Sequence, residues 1–130
     1  MMKTHILLID DDEDELEILT AALNKVPLTF DCMWVQSAEH AVELLNHYTP
    51  DYIFIDYNMP KENGLKCLAE IKKIKTVRDI PVILYSTSID EVNSSQALSL
   101  GALTCLQKQT GINALAKQLK EIITSAQGSV

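Results

Sequence analysis

Short apolar runs alternate along this chain with stretches in which apolar residues return at helical spacing. Ile6–Ile9 is the first run. Asp14–Lys25 follows, with Leu16, Leu19 and Leu23, then Val26, three or four positions apart. That period puts one apolar stripe along a helix. Phe30–Val35 predicts a second strand. Ala38, Ala41, Val42 and Leu45 predict a second helix, with Ser37 as its N-cap. Tyr52–Ile55 predicts the third strand and Gly64–Lys75 the third helix, which carries Leu65, Leu68, Ile71 and Ile74. Pro81–Tyr85 reads as the fourth strand, with proline tolerated at its start. A weaker helical pattern over Asp90–Leu100 ends at Gly101, a residue suited to a C-cap. Leu103–Leu106 is a short fifth strand. Asn113–Ala126 is a last helix with Leu115, Leu119, Ile122 and Ile123 on one face.

Three of the strands are continuous apolar runs rather than alternating ones. Such strands are buried on both faces, as in a parallel sheet between helix layers. Five strand–helix units within 130 residues predict one doubly wound α/β domain spanning residues 1–130, with no separate output domain. Ligands of such folds bind beyond the carboxyl ends of the strands. The residues just after each strand are therefore the ones to read for chemistry.

Composition narrows the function classes. The formal charge is −7 with no Lys/Arg cluster, which argues against direct nucleic-acid binding. There is no apolar run long enough for a membrane span and no signal-peptide pattern at Met1–His5, so a cytoplasmic location is expected. Cys32, Cys67 and Cys105 lie far apart, each in an apolar stretch, and are expected to be small buried hydrophobes.

Acidic residues follow the first strand at Asp10, Asp11, Asp12, Glu13 and Asp14. The last three suit a solvated helix N-terminus, where carboxylates favour the helix dipole. Asp10 and Asp11 directly follow Ile9, at the edge of the expected core, where crowded like charges call for a cation. Asp56 ends the third strand. If the first and third strands are neighbours, Asp10, Asp11 and Asp56 meet in one pocket. Their oxygens are the hard ligands Mg²⁺ prefers, and Asp56 could then act as a nucleophile toward phosphorus. Asn58 could add its backbone carbonyl to the metal. Ser86, Thr87 and Ser88 end the fourth strand, and Lys108 ends the fifth. Hydroxyls and a single lysine at strand ends are ordinary features. Acids, a hydroxyl and a cation gathered on one sheet edge make a more specific combination.

On these residues the chain resembles the receiver domain of bacterial two-component response regulators over nearly its whole length. The matching stretches are Ile6-Leu-Leu-Ile-Asp10-Asp11, Ile55-Asp56-Tyr-Asn58-Met59-Pro60, Gly64, Pro81-Val-Ile-Leu-Tyr-Ser86, Gly101-Ala102 and Lys108. The resemblance implies a flavodoxin-like five-stranded parallel sheet of order 2-1-3-4-5, with helices on both faces. It implies phosphorylation on Asp56. It also implies a Mg²⁺ (or Mn²⁺) ion held by Asp10, Asp11, Asp56 and the Asn58 carbonyl. Ser86 would hydrogen-bond phosphoryl oxygens and Lys108 would pair with one of them. Met59-Pro60 and Gly64 would shape the loop after the third strand. The implied partners are a sensor histidine kinase or histidine phosphotransfer protein and a downstream protein target, with the chain a monomer or weak dimer. Asn58 and Ser88 occupy positions that the resemblance links to the lifetime of the phosphoryl group. Cys105 stands where members usually carry an aromatic residue, and Gln109 where most carry proline.

Two other readings are open on the sequence. One is a binding module of the same fold that works without phosphorylation. The other is a Mg²⁺-dependent phosphatase. Phosphatases of the haloacid-dehalogenase type place a second aspartate two residues after the nucleophile, and Asn58 cannot serve as that acid/base. His40 and His47 read as surface residues, and Trp34 reads as packing.

Overall fold

In a computed structural model of the chain, β1 (Thr4–Ile9), β2 (Phe30–Val35), β3 (Tyr52–Asp56), β4 (Val82–Ser86) and β5 (Thr104–Gln107) form a parallel sheet. Its order is β2-β1-β3-β4-β5. The connecting helices are α1 (Asp14–Leu23), α2 (Ala38–Leu45), α3 (Gly64–Lys72), α4 (Glu91–Ser99) and α5 (Ile112–Gly128). The structure describes residues 3–59, 63–87, 90–108 and 111–128. Pro60, Ser88 and Gln109, singled out above, lie outside the described residues.

Successive strand residues point to opposite faces of a sheet, and here both faces are covered. Ile6, Leu8, Phe54, Ile83 and Tyr85 pack on one side with Leu19 and Leu23 of α1 and Leu115 and Leu119 of α5. Leu7, Ile9, Ile53, Ile55 and Leu84 pack on the other with Ala41 and Leu45 of α2, Leu68 and Ile71 of α3 and Ala97 of α4. Every residue from Ile6 to Ile9, from Ile53 to Ile55 and from Val82 to Leu84 is 0% exposed, so β1, β3 and β4 tolerate no polar alternation. Each such side chain contributes about 1.5–3 kcal/mol of transfer free energy. The order expected from the resemblance and the two helix layers are both observed.

Element ends differ from the sequence reading in ways that local bonding explains. β1 begins at Thr4, because Thr4 and His5 pair with Phe30 and Asp31 although both are polar. Helix α1 ends at Leu23 rather than Lys25. There Lys25 and Val26 donate to the carbonyls of Ala22 and Leu23, the tighter pattern common in last turns. Helix α3 ends at Lys72 rather than Lys75. The Lys72 ammonium donates to the carbonyls of Arg78 (2.8 Å) and Ile80 (3.1 Å), which folds the next segment back. Pro81 precedes β4, and β5 is shifted one residue toward its carboxyl end. Ser37, Asn63 and Asp90 cap α2, α3 and α4 through their side-chain oxygens. Gly101 adopts φ +104° after α4, as its assigned role requires. Of the cysteines only Cys67 is buried. Cys32 and Cys105 are half-buried on the edge strands, whose outer sides lack a covering neighbour.

The register then aligns one edge. Ile9 pairs with Ile55, so Asp10 and Asp56 leave adjacent strands together. Asp56 pairs with Tyr85 and Ser86 with Gln107, which brings Ser86 and Lys108 to the same edge.

Candidate functional site

Asp10 is 0% exposed and Asp56 4%, although both are carboxylates. Each is held by a local turn. Asp10 Oδ1 accepts the N–H of Asp12 at 3.0 Å, and Asp56 Oδ1 accepts the N–H of Asn58 at 3.1 Å. The second bond lays the Asn58 backbone beside the Asp56 carboxylate. Asp11 is exposed, yet one oxygen from each of Asp10, Asp11 and Asp56 lies within 4.8 Å of the others. The exposed Asp12, Glu13 and Asp14 instead lead into α1, as the sequence reading has it.

Lys108 reaches into this group from the end of β5. Its ammonium lies 3.2 Å from Asp10, 3.5 Å from Glu15 and 3.5 Å from Asp56. It also sits 5.1 Å from the centroid of the Tyr85 ring, a cation–π contact beneath the site. Burial alone would lower the Lys108 pKa, but Asp10, Asp56 and Glu15 outweigh it and hold the ammonium above its ordinary value. Burial pushes the Asp10 carboxyl up to about 7, against the opposing pull of the Asp12 N–H and Lys108. Burial likewise raises Asp56, and Lys108 again opposes the shift. One ammonium does not balance Asp10, Asp11, Asp56 and Glu15. The donor set is all hard oxygen. Three such donors converging within 4.8 Å suit a hard divalent cation, so Mg²⁺ or Mn²⁺ fits these residues.

Ser86 is 1% exposed, and its Oγ accepts a hydrogen bond from Asn58 Nδ2 at 2.8 Å. Thr87, the next residue, is exposed. Gly64 closes the site from behind. A Cβ there would lie 2.8 Å from both the Asp56 carbonyl oxygen and the Tyr57 Cα, and the Gly64 N–H donates to the Tyr57 carbonyl at 3.1 Å. The first residue of α3 therefore lies against the backbone of Asp56 and Tyr57, a distance only glycine permits.

This edge of carboxylates, hydroxyl and lysine can be compared with known proteins. The profile of the response regulator receiver domain matches residues 6–120. The chain belongs to that family. The CpxR homolog of Haemophilus influenzae, a transcriptional regulatory protein, is 32% identical over 120 residues, covering 91% of this chain and 49% of that protein. This receiver domain spans about half the length of that relative and of the Pseudomonas aeruginosa PhoB regulator, of which 53% is matched. Among solved structures, the phosphorylated cyanobacterial phytochrome response regulator RcpA superposes with a TM-score of 0.79 at 28% identity, covering 93% of this chain and 91% of that one. The Mn²⁺-bound form of response regulator Rcp1 superposes with a TM-score of 0.76 at 25% identity, covering 92% and 91%.

The structure thus brings Asp10, Asp11, Asp56, Asn58, Ser86 and Lys108 of this receiver domain together. Three contacts were not anticipated from sequence. Glu15 joins the Lys108 ion-pair group from the first turn of α1. The Asn58 side chain, linked above to the lifetime of the phosphoryl group, bonds Ser86. Trp34, read as packing, donates its indole N–H to the Asp10 carbonyl at 2.8 Å. Only the β1–β2 pairing of Leu8 with Trp34 carried a trace of that last contact, and pairing is not visible in sequence. His40 and His47 are exposed, as expected. Among the described residues no helix is long and apolar enough to cross a membrane.

Proposed function

We propose that this receiver domain is a phospho-acceptor switch of a two-component phosphorelay, phosphorylated on Asp56 by a histidine kinase or histidine phosphotransfer protein. One observation carries the reading. The carboxylate oxygens of Asp10, Asp11 and Asp56 converge within 4.8 Å, with the Lys108 ammonium 3.5 Å from Asp56.

In the transfer, an Asp56 carboxylate oxygen bonds to phosphorus as the phosphorus–nitrogen bond to the partner's imidazole breaks. That electron pair stays on the nitrogen, which takes up a proton. The product is an acyl phosphate. Asp10, Asp11, Asp56 and the Asn58 carbonyl would hold Mg²⁺ or Mn²⁺, which neutralises phosphoryl charge when bound. Lys108 pairs with one phosphoryl oxygen and Ser86 donates its O–H to another. The phosphoryl group carries about −1.5 to −2 charge units, in place of the single charge of the free Asp56 carboxylate. Both residues then move toward it, and the face formed by α4, β5 and α5 shifts population between two states. Val92, Leu98, Leu100 and Leu103 are already exposed on or beside that face, which supports output by protein–protein contact. With a net charge of −7, direct nucleic-acid contact is not part of this reading. Neither is turnover of an external substrate. The chain works in the cytoplasm as a monomer or weak dimer.

The test is incubation with Mg²⁺ and a small phospho-donor, followed by intact mass measurement. Wild type gains one phosphoryl group and Asp56→Asn gains none. No gain in wild type, or an equal gain in the variant, overturns the reading and leaves a phosphorylation-independent binding module in its place.

A further inference from the structure

The last backbone rung between β1 and β2 is the Asp10 N–H donating to the Val35 carbonyl at 3.1 Å, where β2 ends. The Asp10 carbonyl on the other side of that residue is met by a side chain instead. Trp34, the chain's single tryptophan, donates its indole N–H to that oxygen at 2.8 Å. The Asp10 carbonyl belongs to the peptide that joins Asp10 to Asp11. The plane of that peptide sets the directions in which the two neighbouring carboxylates leave the chain. They must diverge in exposure, Asp10 buried and Asp11 exposed, and still bring oxygens within 4.8 Å of each other. Two bonds restrain the turn: the indole on the Asp10 carbonyl, and the Asp10 carboxylate on the Asp12 N–H at 3.0 Å.

The indole is itself well placed to hold still. Its strand neighbour Leu8 is fully buried, and the ring packs against the same apolar layer that Leu8 and Leu19 occupy. One ring therefore packs on the core and bonds the acidic turn.

We propose that Trp34 is a positioning residue for the divalent cation, acting through the Asp10–Asp11 peptide and touching no ligand itself. The inference rests on the cation reading of the preceding subsection. It predicts that the indole N–H senses occupancy of the acidic pocket, and that removing this donor loosens the pre-set arrangement of Asp10 and Asp11.

Calorimetric titration of the full chain with MgCl₂ and with MnCl₂ tests it, comparing wild type, Trp34→Phe and Asp11→Asn. Trp34→Phe keeps an aromatic ring for packing and loses the donor together with part of the indole's bulk. It binds both cations about threefold to tenfold more weakly, as expected for one neutral hydrogen bond, while its thermal midpoint in chelator stays near wild type. In wild type, the single indole N–H resonance shifts during the Mg²⁺ titration with the half-saturation seen by calorimetry, and Asp11→Asn abolishes that shift. This second measurement needs no Trp34 variant to fold. Equal cation affinity in Trp34→Phe and wild type, or an indole resonance that stays fixed while the Asn58 amide moves, overturns the role of Trp34 and leaves the cation site standing. Absence of cation binding to wild type overturns the cation reading and this inference with it.

Discussion

The Asn58 side-chain amide donates to the Ser86 hydroxyl at 2.8 Å, although the two residues lie 28 positions apart. The residue two places after Asp56 thereby engages the hydroxyl that the proposed mechanism assigns to the phosphoryl group. Asn58 is exposed and Ser86 is almost fully buried, so the contact bridges solvent and site.

That geometry bears on the lifetime of an acyl phosphate at Asp56. A small, exposed, uncharged side chain at position 58 leaves water a path to the phosphorus. Asn58→Met should lengthen the half-life about threefold to tenfold, the change produced by roughly 1 kcal/mol in the barrier. Decay of the phosphorylated mass over time is the measurement. An unchanged half-life would show that water enters by another side.

A second prediction concerns pH in the absence of metal. Burial raises Asp10 from an ordinary value of 3.8 to about 7. Between those values the folded chain keeps a proton that the unfolded chain releases. Stability due to this group therefore falls as pH rises from about 4 to about 7 and is level above that. In chelator, Asp10→Asn should be more heat-stable than wild type at pH 7.5. The gap should close as pH is lowered toward 4. Its full size is on the order of a few kcal/mol, and saturating Mg²⁺ should shrink it by stabilising wild type alone. Thermal midpoints across pH, with and without Mg²⁺, check this. A gap that widens on acidification would contradict it.

Two glycines provide a matched pair. A Cβ on Gly64 would lie 2.8 Å from backbone atoms of Asp56 and Tyr57, which cannot swing aside as a flexible side chain would. Gly64→Ala should cost about 1–3 kcal/mol, as overpacking does, and should lower phosphorylation by displacing Asp56. A Cβ on Gly111 meets nothing within 4 Å, so Gly111→Ala should stay within about 0.5 kcal/mol of wild type. Urea midpoints for both variants, with the mass gain from a small phospho-donor, separate the two cases. Equal midpoints would mean that the start of α3 shifts away from Asp56 and Tyr57 more easily than this close approach implies.

Much of this molecule was legible in the order of its residues. Continuous apolar runs such as Ile6–Ile9 and Tyr52–Ile55 mark strands buried on both faces, and that pattern alone predicts a parallel sheet between helix layers. Because chemistry in such folds sits where strands end, Asp10, Asp11, Asp56, Ser86 and Lys108 could be singled out before any coordinate was known. Local signals also sufficed for Ser37 as a helix cap and Gly101 as a terminator.

The contacts between those residues belong to tertiary structure. Lys108 meets Asp10 across 98 positions, and Trp34 meets the Asp10 carbonyl across 24. Neither follows from a local period, because strand pairing, and not chain distance, decides which side chains face one another at the sheet edge. Glu15 was not singled out in the sequence, yet it stands in the first turn of α1 and meets Lys108 at 3.5 Å. The early ends of α1 and α3 have the same origin, since turn bonds such as Lys72 to the Arg78 carbonyl overrule helix periodicity that continues past them. Residue pattern determined which side chains would reach one edge of one sheet. Packing decided which atoms touch there, since a hydrogen bond depends on distances of a few tenths of an ångström that no spacing in the chain encodes.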